Sequence, residues 1–335
     1  MDNTYLDRIK LREKLINEHP VETHQCHPSC NEAVVEMYEW VFGTYFPKRF
    51  PKMFTLLPPS FPTQDAGIPD QDLKAQGQRQ KSLLNVATGE HIPLHPASAT
   101  DALRTLGRNV DNDVLFLLPS ATTSLSSSDT FPTQEGNTFY TLEAYITCFP
   151  SGFSLPQKFR HTLAEIHAPV PGYKAKLERS MDRYFARLPV GKLVRRHNWA
   201  ITTNPDLYRE AGNHLYADDG SDEQELDLEV DSQGKTLNLH SVNLIKEIEQ
   251  QKKDVCIEDC RLRAERQTLH RLPRSGALVF AFKTYTYRLS EIKAEGNGPA
   301  LAEAIEGLKL GNAPEMEYYK RGVVWGDRVR EFLLS

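Results

Sequence analysis

The strongest constraint on the fold lies in the last quarter of the chain, where two β-type runs flank a tight turn. From Cys260 to Glu265 the apolar Cys260, Leu262 and Ala264 alternate with Arg261, Arg263 and Glu265. That period of two places successive side chains on opposite faces of a strand. Pro273-Arg274-Ser275-Gly276 supplies turn residues, and Ala277–Leu289 resumes a β-rich run. Together they predict an antiparallel hairpin. A lone hairpin is marginal in water, so the rest of the chain must supply strands and helices that cover it.

Three further strands are predicted: Val114–Leu118, Phe139–Cys148 and Leu193–Thr203 around Trp199. Helical spacing appears after Asn31, with Val34, Met37, Tyr38 and Val41 on one side and Gly43 as a stop. A second helix carries Phe159, Leu163 and Ile166, with His167 one turn beyond Leu163 and Pro169 and Pro171 ending it. Leu177, Met181, Tyr184 and Leu188 mark a third, Ser241 with Val242, Ile245 and Ile248 a fourth, and Leu301, Ile305 and Leu308 a last one. The expectation is a mixed α/β chain of the α+β kind, with an antiparallel sheet and surrounding helices. Residues 31–335 read as a single sheet-centred domain, and residues 1–30, polar and poorly periodic, as an N-terminal extension. Prolines crowd residues 47–70, which predicts extended, loop-like backbone, and residues 70–90 are polar. Ser120–Thr130 is a Ser/Thr-rich loop, and residues 218–229 hold seven acids and no base, a solvated surface excursion.

At 39% hydrophobic and 25% charged residues the chain is of the soluble globular class. Its net charge of −5 argues against nucleic acid as a partner. No run approaches the roughly 18 apolar residues of a membrane span, and Met1-Asp2-Asn3-Thr4 is no signal peptide. A cytoplasmic, reducing setting is therefore expected. Five cysteines without a secretory signal do not form a disulfide framework. Cys26/Cys30 and Cys256/Cys260 share one spacing, and His24 and His27 flank the first pair. Zinc knuckles mostly space their cysteines differently, so free thiols are expected over structural zinc.

Dinucleotide-binding, P-loop, nucleophile-elbow and HExxH motifs are all missing, as is ferredoxin cysteine spacing. Any redox chemistry must then draw electrons from another protein. What remains is a neutral imidazole, His167, on an apolar helix side, and a carboxylate, Glu265, among several arginines. That set suits a haem enzyme. It also suits a helix-end histidine bonded to carbonyls and an ion-pair ribbon.

At Phe149-Pro150-Ser151-Gly152, Ile166-His167-Ala168-Pro169-Val170-Pro171-Gly172-Tyr173, Asn198-Trp199 and Arg263-Ala264-Glu265-Arg266-Gln267-Thr268-Leu269-His270-Arg271-Leu272-Pro273, the chain resembles the haem-dependent oxidative N-demethylase family, in a fungal-type branch. The resemblance spans roughly Asn31 to Lys320. It implies a PAS-like haem-binding domain with haem b, O2 as co-substrate, and oxidative N-demethylation of a small methylated amine. It also implies a separate flavin and iron–sulfur reductase as electron donor. On this resemblance His167 is expected as the proximal ligand of the haem iron. Cys148 is the alternative, because a thiolate would promote O–O cleavage. Glu265 is expected to meet the substrate ammonium, the other reading being an ion pair with Arg261, Arg263 or Arg266. Arg266, Arg263 and Arg195 are candidates for the haem propionates. Trp199, Tyr285 and Thr284 are expected to line the pocket, Trp199 among the cofactor-binding residues and Tyr285 and Thr284 among the catalytic ones with Glu265. The alternative function is a PAS-like haem-based sensor or a non-catalytic haem-binding protein.

Overall fold

Residues 2–60, 80–120, 139–216, 228–230 and 236–335 are described in a computed structural model of the chain. In chain order the strands are β1 (His24–Cys26), β2 (Phe54–Ser60), β3 (Gln80–Asn85), β4 (Glu90–Pro93), β5 (Asp113–Ser120), β6 (Phe139–Ile146), β7 (Val194–Thr202), β8 (Leu228–Val230), β9 (Thr236–Asn238), β10 (Arg261–Arg271) and β11 (Leu278–Arg288). The expected hairpin is β10–β11, paired without a register break from Arg261↔Arg288 to Arg271↔Leu278. It sits inside a six-stranded antiparallel sheet of order β1-β6-β5-β11-β10-β7. Strands β2-β3-β4 make a smaller sheet, and β8–β9 a two-stranded one. This is the expected α+β arrangement.

Alternation gives the main sheet two distinct faces. The back face carries Phe116, Ala144, Ile146, Val279 and Ala281, covered by the helices Tyr5–Glu18, Asn31–Trp40 and Ala99–Asn109. Towards β7, the same face packs Ile201, Leu262 and Trp199 against the C-terminal helices Gly298–Glu306 and Gly322–Leu334. The front face carries Leu117, Leu142, Leu269 and Leu278, with Leu163 and Leu188 against them. The helices Leu163–His167 and Glu178–Arg187 lie on this side.

Residues 1–30, expected to be a poorly periodic extension, are instead built into the back of the sheet. Tyr5, Ile9, Arg12, Leu15 and Ile16 are buried in the first helix, and β1 forms an edge of the main sheet. The pattern was hidden because Arg12, wholly buried, occupies a core position. Its guanidinium donates to Gly107 O at 2.8 Å, Asn112 O at 3.0 Å and Asp113 Oδ1 at 2.6 Å. Asp113 in turn accepts from the backbone N–H groups of Cys148 and Phe149, both at 2.9 Å. The two helices touch so closely that a Cβ at Gly107 would lie 2.6 Å from Ile16 Cδ1.

Other local expectations are corrected as well. Gly43 does not stop its helix: a π-turn, Val41–Tyr45, carries the chain into Phe46–Arg49. Burial of Phe42 and Phe46 outweighs the modest helix penalty of one glycine. Pro58 and Pro59 fall within β2, an edge strand, where a missing N–H is tolerated. Part of the polar 70–90 stretch forms β3 and β4, with Leu83 buried. The fourth helix begins at Leu239, not Ser241. The Leu301 helix is not the last, because Gly322–Leu334 follows and buries Val324, Trp325, Val329 and Leu333. The Ser/Thr-rich loop beyond Ser120 and nearly all of the acidic 218–229 stretch lie outside the described residues. All five cysteines are free thiols, and no group of three or more potential metal-ligating side chains occurs among the described residues. No helix among them is long and apolar enough to cross a membrane.

Candidate functional site

His167 closes a five-residue helix whose start is fixed by a capping box. The Thr162 hydroxyl accepts from Glu165 N at 3.3 Å, and Glu165 Oε2 accepts from Thr162 N at 2.7 Å. At the other end His167 Nδ1 lies 2.8 Å from Leu163 O. A carbonyl only accepts, so Nδ1 carries the proton and, in the neutral ring, Nε2 keeps its lone pair. Burial holds the imidazole below the usual histidine pKa; Lys158 and Arg196 add to this, and the Leu163 carbonyl opposes it. The ring is stacked on Tyr173, centroids 4.9 Å apart at 18°. The Tyr173 hydroxyl is buried without a hydrogen-bond partner among the described residues. Nε2 makes no hydrogen bond among the described residues.

The polar part of the front face comes from three adjacent strands. Glu265 on β10 pairs in register with Thr284 on β11 and Asn198 on β7, and Gln267 pairs with Arg196. Glu265 is 8% exposed. Its Oε2 accepts from Gln267 Nε2 at 2.9 Å, and Gln267 Oε1 accepts from Arg196 Nε at 2.5 Å. No lysine or arginine among the described residues closes to ion-pair distance of Glu265. Its charge is nonetheless felt by Arg196 and Lys320, opposing the burial that lowers both pKa values. Lys320 donates to Trp199 O at 2.7 Å and lies 3.4 Å from Asn198 Oδ1. Thr284 is 1% exposed, and its Oγ1 has no partner among the described residues. Arg196 thus links the carboxylate to the imidazole, since its field reaches both.

This geometry gathers His167, Glu265 and Thr284 on one side of the sheet and separates other residues expected with them. Arg195, Trp199, Arg266 and Tyr285 each stand one position out of phase with the Glu265 row and point to the back face. There Trp199 packs with the C-terminal helices, and Tyr285 stacks on Tyr287 with Lys283 5.3 Å from its ring centroid. Arg263 is on the front face, but both of its terminal nitrogens are engaged elsewhere, and its buried Nε has no hydrogen-bond partner among the described residues. Its guanidinium donates to Phe149 O (2.7 Å), Pro150 O (3.1 Å), Leu207 O (3.1 Å) and Asp206 O (3.4 Å). It is a clamp on two loops, leaving no fork for a propionate. Cys148 is completely buried on the back side, 4.0 Å from Arg12 O. Burial pushes its pKa up to about 12, so it is a thiol and no thiolate.

Residues that the sequence did not single out complete the site: Arg196, Gln267, Lys158, Lys320 and His214. His214 Nδ1 faces Gly152 O at 3.4 Å, and burial lowers its pKa to about 4, helped by Lys158, Lys320 and Arg263. It is a second neutral imidazole in the same electrostatic neighbourhood as His167. Gly152 has φ of 76°, and a Cβ there would lie 2.6 Å from Asn213 Cβ and 3.0 Å from His214 Nδ1. The Pro150–Gly152 motif is therefore the one sequence signal that could have pointed to His214. Two surface clefts of about 340 and 360 Å3 are present, one lined by Glu249, Lys252, Lys253, Val324, Asp327 and Arg328 and the other by Tyr208–Gly212. The second borders the Gly152 loop, whose Gly152 N donates to Arg209 O at 2.7 Å.

The front face thus offers a ligand-capable imidazole, an incompletely neutralised buried carboxylate, unpartnered hydroxyls and several cations. The family model for haem-dependent oxidative N-demethylases, alpha subunit-like, matches residues 1–330. The chain belongs to that family.

Proposed function

We propose that the front face binds haem b in a PAS-like domain, with His167 Nε2 on the iron, and that the protein demethylates a small methylated amine with O2. The observation that carries this reading is His167, fixed through Nδ1, on the same sheet face as Glu265; among the described residues Nε2 is unspent and Glu265 lacks a cationic partner. A carbonyl on Nδ1 orients a ligating histidine and raises its basicity. The residues present fit the group. Ile166, Met181, Phe185, Val194 and Phe280 are only partly buried around the apolar cluster, which leaves apolar surface for a flat macrocycle. Arg196 and Lys158 supply cations for propionates, in place of Arg195 and Arg266.

Haem, when bound, supplies the oxygen activation that oxidises an N-methyl carbon. Overall, two electrons and two protons enter with O2. One oxygen leaves in water and the other in formaldehyde, with the demethylated amine. Electrons come from a separate flavin and iron–sulfur reductase, because no such motif is present in the chain. Glu265 accepts the substrate's N–H and balances its charge in a dry pocket. Gln267 and Arg196 hold that carboxylate in place, and the Thr284 hydroxyl beside it is free to take a polar contact from the ligand.

Glu265→Gln tests the assignment. It keeps shape and packing but removes the charge, and should weaken amine binding by about 2–5 kcal/mol while haem content is unchanged. The measurement is a spectral titration with dimethylamine beside a thermal melt of the same variant. Unchanged amine affinity with a lowered melting temperature would make Glu265 purely structural.

A further inference from the structure

We propose that the basic face running from Lys174 to Lys192 docks an acidic one-electron carrier protein. The proposal rests on the haem reading above and deepens it by naming the surface through which electrons arrive. Lys174, Lys176, Arg179, Arg183, Arg187 and Lys192 stand against two acids, Glu178 and Asp182, in a chain of net charge −5. All six are exposed. None forms an ion pair among the described residues, although other surface cations such as Arg160, Arg274 and Lys309 do. The helix Glu178–Arg187 buries none of its side chains fully. Apolar groups interleave with the charges: Leu177 is 51%, Tyr184 41%, Val190 52% and Leu193 63% exposed.

A charged ring around scattered apolar side chains suits a transient, electrostatically steered complex, in which complementary charge raises the encounter rate and the contact stays small. The position selects the partner. The patch begins one residue after Tyr173, whose ring stacks on His167, so a protein seated there lies beside the proposed axial ligand. The chain has no electron-carrying motif of its own, so the donor must come from outside. The chemistry that fits is a flavin or iron–sulfur protein with an acidic face. Two electrons are needed per turnover and arrive in two successive transfers, each from a reduced carrier that is itself oxidised by one. No covalent bond forms between the proteins.

The test uses the full-length holoprotein with a flavodoxin and a plant-type ferredoxin as acidic probes, measuring affinity by calorimetry at low and at 0.5 M salt. Arg179→Glu/Arg183→Glu/Arg187→Glu is compared with Lys10→Glu/Lys14→Glu, which reverses exposed charges on the first helix. The expected result is binding of at least one probe that salt abolishes, weakened at least tenfold by the first variant and less than twofold by the second. The reduction rate by the bound probe should fall in parallel, while reduction by dithionite and the Soret spectrum stay unchanged. Binding of neither probe, or equal loss in both variants, overturns the proposal. So does attachment of the patch to phosphatidylserine vesicles without affinity for either probe. A chain without haem would sink the demethylase reading, whereas the affinity measurement would still report on the surface.

Discussion

Among the described residues, Thr284 carries a buried hydroxyl with no partner beside a buried carboxylate with no counter-ion, and the two belong to one explanation. An unsatisfied buried polar group costs about 1–3 kcal/mol, which a fold tolerates where a ligand later satisfies it. Thr284→Val should therefore raise the melting temperature of the ligand-free protein while weakening amine affinity. A lowered melting temperature with intact affinity would contradict a ligand-facing hydroxyl. At this scale the sequence was legible for residue type and blind to phase. Glu265 and Thr284 face each other as a strand pair should, yet Arg195 was preferred over Arg196, which holds Gln267. In a strand one position is a change of face, and nothing in Arg195-Arg196 distinguishes them before the register is known. His214 was missed for another reason: it sits in irregular chain, where no periodicity marks which side chains turn inward.

The β10–β11 hairpin was readable because its alternation, turn and length agree. The Tyr5–Glu18 helix was not, because its inward stripe of Tyr5, Ile9, Arg12 and Ile16 includes a guanidinium that the Asp113 carboxylate and the Gly107 and Asn112 carbonyls make acceptable in a core. Arg263 does similar work on the front of β10. It joins the Phe149–Pro150 and Asp206–Leu207 loops through four carbonyls, and an ammonium cannot reproduce that planar fork. Arg263→Lys should lower unfolding stability by about 2–4 kcal/mol in urea, by the loss of charged hydrogen bonds to buried carbonyls. It should also loosen His214, which lies against Gly152 in the same loop. Stability within about 0.5 kcal/mol of the parent would show that the loops are held by other means.

Across the whole molecule, several histidines are kept neutral by burial. His24 and His214 are lowered to about 4, and His167 and His270 are lowered as well. Each binds its proton in the unfolded chain near pH 6.5 but less readily in the folded one, so this stability is complete above about 6.5 and is lost as pH falls, for His24 and His214 towards 4. For His24, only 6% exposed with its Nε2 accepting from Arg104 at 3.0 Å, the effect reaches at most about 3 kcal/mol. Carboxylates held below their usual range, Asp2 and Glu36 among them, add a further loss below about pH 4. Urea midpoints should thus fall between pH 7 and pH 4.5, less steeply in His24→Gln; a rise over that range would contradict the buried neutral histidines. The central claim, that this sheet face holds haem through His167, is tested most directly by the absorption spectrum of the purified protein beside His167→Gly. The account predicts a Soret band at one haem per chain in the parent, its loss or a shifted ferrous–CO spectrum in the variant, and recovery when imidazole is added. Full haem content with an unchanged ferrous–CO spectrum in His167→Gly would contradict it.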